Sequence, residues 1–243
     1  MLPSLTRSFS ALPPAAQASV LSLHDFRYPS EDASTPPQSH LLTIFRSNAY
    51  NTGDDRIGLF AQTARINHDC TPNAGTWWSE RTERRVVYAL RNIAAGEEIT
   101  VSYIPLLKPR AERQARLAQY GFQCGCDACS DSVYSADGDK RRIGIRDLIL
   151  DLESKVSRRC TKAGVCKKHV EKARKLVRMI EDEGLGDYLA KAYHLAAAFA
   201  EQADEVNEAR LWGEQELEVL RWMDEDSEEV LKSVKFLVGL KDR

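Results

Sequence analysis

Apolar and polar positions alternate differently along the two parts of the chain. Residues 15–24, after Pro13-Pro14, carry the apolar spacing of a short helix, and Leu41 to Asn51 reads as a second one stopped by Thr52-Gly53-Asp54-Asp55. Residues 29–39, with three prolines among serines and acids, read as a loop. From Gly58 the pattern becomes strand-like. Ala74-Gly-Thr-Trp-Trp-Ser79 and Arg85-Val-Val-Tyr-Ala-Leu90 flank the charged turn Glu80-Arg-Thr-Glu-Arg84, and Ala95-Gly96-Glu97 turns into a short strand, Ile99-Thr-Val-Ser-Tyr103. Pro109 is placed to open a helix over Arg110–Tyr120, where its missing N–H costs nothing, and Gly121 to stop it.

Beyond residue 130 the chain is almost wholly helical in pattern. Helices are expected over roughly 140–157, 167–183, 186–202, 205–223 and 226–240, broken by Gly164, Gly184, Gly186 and Asp224. The stretches 188–200 and 207–220 have the small residues and the fillers Tyr193, Phe199 and Trp212 of one tetratricopeptide hairpin, or equally of a plain helical bundle. The fold class is therefore α+β: a β-rich part up to residue 130, then an all-α, tetratricopeptide-like region over 131–243.

Composition narrows the class only a little. The 243 residues are 43% hydrophobic and 29% charged, which suits a globular chain with a sizeable core. The net charge of −2 argues against a dedicated nucleic-acid binder. No apolar run reaches the ~20 residues that span a bilayer, so no membrane partner is expected. Lys/Arg and Asp/Glu number 13 and 12 up to residue 130 and 21 and 24 after it, so neither part carries a one-sided field. The start, Met1 to Ser10, is Ser-rich with a single Arg7, which favours an ordinary helix or loop over a mitochondrial leader.

The cysteines carry the first chemistry. Cys124-Gly-Cys126-Asp-Ala-Cys129 supplies three thiolates from one tight loop, and Cys70 stands apart in Arg65-Ile-Asn-His-Asp-Cys-Thr-Pro-Asn73. A structural zinc ion takes four tetrahedral ligands, so one Zn²⁺ held by Cys70, Cys124, Cys126 and Cys129 is the favoured reading. A redox pair at Cys126/Cys129 would belong at a helix start after a strand, and here the cluster follows a helix. Unrelated thiols remain the plain alternative. Six cysteines without a secretion signal point to a reducing compartment, cytoplasm or nucleus. Cys160-x5-Cys166-x2-His169 offers only three ligands and is expected to be loop and helix-start residues rather than a second metal site.

The ordered set Asn67-His-Asp-Cys-Thr-Pro-Asn73, Gly96-Glu-Glu-Ile-Thr-Val-Ser-Tyr103 and Cys-x-Cys-x-x-Cys resembles the SET-domain lysine methyltransferases, in particular the SET-and-MYND subgroup and similar fungal proteins. The resemblance covers residues 40–130 well and extends more loosely on either side. It implies a partial SET domain over 1–130, divided into an insert-like helical region (1–57), a core (58–104) whose Asn-His-x-Cys segment threads a pseudoknot, and a zinc-bound post-SET flap (105–130). The implied activity is S-adenosyl-L-methionine-dependent methylation of a lysine on a protein substrate, histone or other. Tyr103 inherits the catalytic role. Asn67 and His68, with Asn48, Tyr103 and Phe122, inherit contacts to the cofactor. Arg91, Trp77 and Trp78 are read as scaffold.

The chain departs from the family pattern in two respects. It has no Gly-x-Gly-x-x-Ala stretch, and no MYND finger. These absences imply a truncated product, a pseudoenzyme, or a pocket completed differently. The competing class is a non-catalytic zinc-binding module that captures a protein partner through the Tyr193/Phe199/Trp212 face of the helical tail.

Overall fold

Pro13 adopts the extended backbone of a helix cap, and Pro14 then begins α2 (Pro14–Leu21), where its fixed φ suits the first turn. Ahead of it lies α1 (Leu2–Ser10), and behind it α3 (Pro37–Asn48). The computed structural model describes residues 2–27, 37–53, 56–130 and 132–241. The expected loop at 29–39 and the turn residues Asp54 and Asp55 fall largely outside them. Val20, Leu23, Leu41 and Ile44 form a small core joining α2 and α3, with Leu5 and Phe9 of α1 packed against it.

α3 ends three residues short of the expected Asn51. Ala49–Asn51 is instead a strand, β1, paired antiparallel with β2 (Ile57–Leu59). The Asn51 side chain accepts the Gly53 N–H at 2.9 Å, and Gly53 sits at φ +79°, so local turn chemistry overrides the helical pattern.

Two further pairings build the centre. β3 (Asn67–His68) runs parallel to β6 (Thr100–Val101), with Asn67 opposite Thr100. Between them in sequence, β4 (Ala74–Ser79) and β5 (Arg84–Ala89) form an antiparallel hairpin in register from Ala74↔Ala89 to Ser79↔Arg84. The expected strand over 99–103 is thus reduced to two residues. The Asn73 side chain clamps this region: it accepts the Thr100 N–H at 2.8 Å and donates to Glu98 O at 2.8 Å and Glu97 Oε1 at 2.9 Å. The scaffold reading of Trp78 and Arg91 fits their contacts, a ring contact to Phe60 at 5.6 Å and an ion pair to Glu97.

α4 (Arg110–Leu117) follows Pro109, which caps the helix (φ −57°, ψ 153°) rather than occupying its first position. A 3₁₀ turn, Ala118–Tyr120, ends at Gly121 with φ +81°, the left-handed stop expected there. The chain then enters α5 (Asp127–Ser130) and the helical tail: α6 (Ser132–Val156), α7 (Ala163–Asp182), α8 (Leu189–Gln202), α9 (Val206–Asp224) and α10 (Glu228–Lys241). α7 buries Cys166, Val170, Ala173, Leu176, Val177 and Ile180, one face at helical spacing. α8 is buried on most sides because its alanines let α7 and α9 approach closely. Gly164 lies inside the first turn of α7 instead of breaking a helix, whereas Gly184, at φ +64°, follows α7 as a terminator.

Phe199 is fully buried and Tyr193 is nearly so, stacked on the half-buried Trp212 at 5.7 Å. Cys160 and Cys166 are joined by a disulfide, with Cα atoms 5.6 Å apart, a bond absent from the reading of six thiols in a reducing compartment. Among the described residues no helix is long and apolar enough to cross a membrane.

One core runs through both parts of the chain. Cys70, Ile104, Leu106, Leu117, Cys124 and Cys129 pack in the same cluster as Ile145, Leu152, Leu176 and Phe199 of the tail.

Candidate functional site

Gly121 sets the path of the segment that brings the cysteines inward. A side chain there would strike the Phe26 ring, whose nearest atom lies 2.2 Å from the Cβ position. The Gln114 side chain then fixes Cys124 from both sides, accepting its N–H at 2.9 Å and donating to its carbonyl at 2.8 Å. Cys126 O accepts from Cys129 N at 2.7 Å and Ser130 N at 2.9 Å, which curls Cys-x-x-Cys into a single turn. Cys70 meets this turn from the loop after β3. The four Sγ atoms of Cys70, Cys124, Cys126 and Cys129 lie within 4.8 Å of one another, and Cys70 and Cys129 are 3.7 Å apart.

Four converging sulfurs with three of the four residues buried could hold one metal ion, and the donor set suits a thiophilic one. Their surroundings are cationic. Arg113, 1% exposed, donates to Lys108 O at 2.6 Å and Ala128 O at 3.3 Å and reaches Cys129 Sγ at 3.7 Å. Arg142, also 1% exposed, donates to Cys70 O at 2.9 Å and Leu106 O at 3.2 Å. Two buried guanidiniums thus lie beside the four sulfurs, Arg113 also paired with Asp139 at 3.0 Å and Arg142 with Glu183 at 3.7 Å. The contact with Cys124 raises the Cys129 thiol, but Cys126, Cys70 and Arg113 together hold it down at about 6. Neither arginine is legible as a site residue in the sequence; each sits in an ordinary amphipathic helix.

His68 joins the cluster to the aromatic side. Its Nδ1 accepts the Tyr103 N–H at 3.1 Å, and its Nε2 lies 3.4 Å from Cys70 Sγ. The Tyr103 ring packs on Tyr120 (5.1 Å), His68 (5.4 Å) and Phe122 (6.3 Å), and its hydroxyl donates to Ile66 O at 2.6 Å. Burial, reinforced by Tyr50, Tyr120 and Glu98, pushes the Tyr103 phenol up to about 12.

These rings border a cavity of about 660 Å³. Asn48, Asn67, Tyr103 and Phe122 line it; His68 does not. Asn48 is buried, and its amide donates to His24 O and Ile44 O, each at 2.7 Å, so it braces the wall as well as bordering the space. Asn67 donates to Glu98 Oε1 at 2.6 Å. β3 lies beside β6, and Asn67 and Tyr103 line one cavity. Sequence reasoning did not single out His24, Tyr50, Arg85 and Tyr120, which also line the cavity. Tyr120 had a signal, since it immediately precedes the left-handed Gly121; the other three had none.

Residues 15–104 match the SET domain family. The chain is 44% identical over 90 residues to the histone-lysine N-methyltransferase set5 of Schizosaccharomyces pombe, covering 37% of this chain and 28% of that protein. It is 48% identical over 79 residues to the histone-lysine N-methyltransferase ATXR2 of Arabidopsis thaliana, covering 32% and 17%. To the human N-lysine methyltransferase SMYD2 it is 30% identical over 141 residues, covering 54% and 31%. The matched stretches span less than a third of the length of each of these relatives. The matched residues 15–104 hold Asn67, His68, Cys70 and Tyr103.

Proposed function

We propose that this chain is an S-adenosyl-L-methionine-dependent protein-lysine methyltransferase acting on a histone or another protein. The observation that carries the reading is the convergence of Tyr103, Asn67 and Phe122 on one cavity whose wall is tied through His68 to a four-cysteine cluster. When bound, S-adenosylmethionine supplies a methyl group on a sulfonium, which the lysine nitrogen takes as the carbon–sulfur bond breaks.

The chain's own residues have three tasks in that chemistry. A lysine enters as an ammonium and must lose its proton before attack; aromatic faces from Tyr50, Tyr103, Tyr120 and Phe122 can accept the cation and exclude water around it. Tyr103 stays a neutral phenol, so it can orient the amine without offering a competing charge. The Asn67 and Asn48 amides border the space where a zwitterionic cofactor would lie, since an amide both donates and accepts.

Cys70, Cys124, Cys126 and Cys129 would hold one structural zinc ion, pinning the loop after β3 to the segment that carries Phe122. That segment is too short to fold on a core of its own, so the metal would supply its ordering energy. In this reading residues 105–130 form the flap, residues 58–104 the pseudoknotted core, and the helical region from 131 the support. A non-catalytic module docking through the tail would have Trp212, half-buried, as its accessible ring there, since Tyr193 and Phe199 are buried.

The test is mass spectrometry of a lysine-rich histone mixture incubated with the chain and S-adenosylmethionine. A 14 Da gain on a lysine is expected. No transfer, together with no calorimetric heat at millimolar S-adenosylmethionine, would overturn the proposal.

A further inference from the structure

The side chains lining the 660 Å³ cavity include Arg65, Arg85 and His24 but no Asp or Glu. Arg65 is engaged nearby, donating to Ser22 Oγ at 2.6 Å and Ser19 O at 3.3 Å. Arg85 is placed differently. From β5 its Nη2 donates to Thr76 Oγ1 at 2.7 Å and its Nη1 to Asn51 O at 3.1 Å, and the guanidinium lies 4.7 Å from the centre of the Tyr50 ring. All three partners are neutral. The charges that act on it come from two phenols, Tyr50 and Tyr88, each raised above its ordinary value by burial and so uncharged at neutral pH.

A guanidinium does not shed its proton in a protein, so Arg85 is a fixed cation on the cavity wall. Among the described residues no carboxylate forms an ion pair with it. Its plane is oriented by three contacts before any ligand arrives, the condition under which arginine grips a carboxylate with the least loss of freedom. A cation left uncompensated beside a cavity that must also admit a lysine is unfavourable unless something anionic enters with it.

We propose that Arg85 anchors a carboxylate carried into the cavity by a bound ligand. The inference rests on the methyltransferase reading, under which two ligands bring that group: the amino-acid part of S-adenosylmethionine, and an acidic side chain beside the target lysine.

Calorimetric titrations separate them. S-adenosylmethionine and its decarboxylated form differ only in the carboxylate. The expected result is that the wild-type chain prefers the former, and that Arg85→Gln weakens it about 10–100-fold while leaving the decarboxylated form unchanged. That unchanged ligand also reports an intact fold. Should the Gln variant fail to fold, Arg85→Lys keeps the charge but loses the planar fork, and a selective loss of several-fold is expected for the carboxylate-bearing ligand. The second arm compares lysine peptides with Glu or Gln next to the lysine. If the wild type discriminates only these, and Arg85→Gln removes the discrimination, the carboxylate comes from the substrate. If the wild type binds neither cofactor form, the methyltransferase reading falls and the peptide pair still decides Arg85. Wild-type indifference to the carboxylate in both pairs, or discrimination that survives Arg85→Gln, overturns the inference.

Discussion

The Tyr103 N–H donates to His68 Nδ1 at 3.1 Å, and this one bond fixes the tautomer of the ring. With Nδ1 accepting, the ring proton sits on Nε2, which points at Cys70 Sγ 3.4 Å away. A single imidazole thus touches the backbone of Tyr103 and a cysteine of the cluster. The resemblance assigns His68 to the cofactor, yet both of its nitrogens are engaged within the protein. On the proposed reading it would act by positioning Tyr103.

His68→Ala is therefore expected to lower kcat about 10–100-fold, through misplacement of Tyr103, with the dissociation constant for S-adenosylmethionine changing only a few-fold. Single-turnover rates and equilibrium titration on the same variant check this. A large rise in the dissociation constant with kcat intact would instead make His68 a direct cofactor contact.

One zinc ion per chain is expected by elemental analysis, and it should depart on treatment with a strong chelator. Because the four sulfurs join the loop after β3 to the segment at 121–130, removal should lower the melting temperature and abolish ligand binding at the cavity together. Cys70→Ser and Cys129→Ser should each reproduce the effect. A zinc-free preparation that melts unchanged would show the cluster to be four ordinary thiols.

Tyr103→Phe removes only the hydroxyl that donates to Ile66 O. A loss of at least about 100-fold in kcat is expected, as for deletion of an oriented polar group at a reacting centre. The pH profile is a second check. With the phenol pushed up to about 12, the rate should climb with pH as the substrate lysine, ordinarily near 10.4, loses its proton. No falling limb from Tyr103 ionisation should appear below about pH 10. Unaltered turnover in the Phe variant would remove Tyr103 from the catalytic role.

How much of this was legible depends on how local each cause is. The β4–β5 hairpin, the stop at Gly121 and the five tail helices follow from periodicity and turn residues, which act over a few positions. The gathering of Cys70 with Cys124, Cys126 and Cys129 could be read because metal-ligand spacing is stereotyped. The end of α3 was misread because the Asn51–Gly53 turn competes with a helical pattern of nearly equal strength. Arg85 and Arg142 were invisible. Their roles come from neighbours across the fold, Tyr50 and Thr76 for one and Cys70 and Leu106 for the other, and no spacing rule links those positions.

The Cys160–Cys166 disulfide closes the turn into α7, where the Cys160 N–H also donates to Gln202 Oε1 at 3.2 Å. Constraining so short a loop in the unfolded chain stabilises by about 2 kcal/mol. Dithiothreitol should therefore lower the melting temperature of a zinc-loaded wild-type sample by several degrees. It should have no such effect on the Cys160→Ser/Cys166→Ser pair variant. Equal sensitivity of both proteins to the reductant would place the effect at the cysteine cluster instead.

The site leans on the helical tail through hydrogen bonds and a shared core. Arg142 in α6 donates to Cys70 O and Leu106 O from a fully buried position, and Asp139 accepts the Arg110 N–H at 2.7 Å and pairs with Arg113 at 3.0 Å. Ile104, Leu106 and Leu117 share their core with Ile145 and Leu152. Replacing Arg142 by Ala leaves two buried carbonyls without donors, which should cost roughly 2–4 kcal/mol in urea denaturation. Removing residues 131–243 takes away these bonds and exposes that core. The fragment 1–130 should accordingly show no cooperative melting transition, with or without zinc. If it melts cooperatively and binds S-adenosylmethionine as the full chain does, the helical tail is a separate unit and the support assigned to Arg142 is wrong.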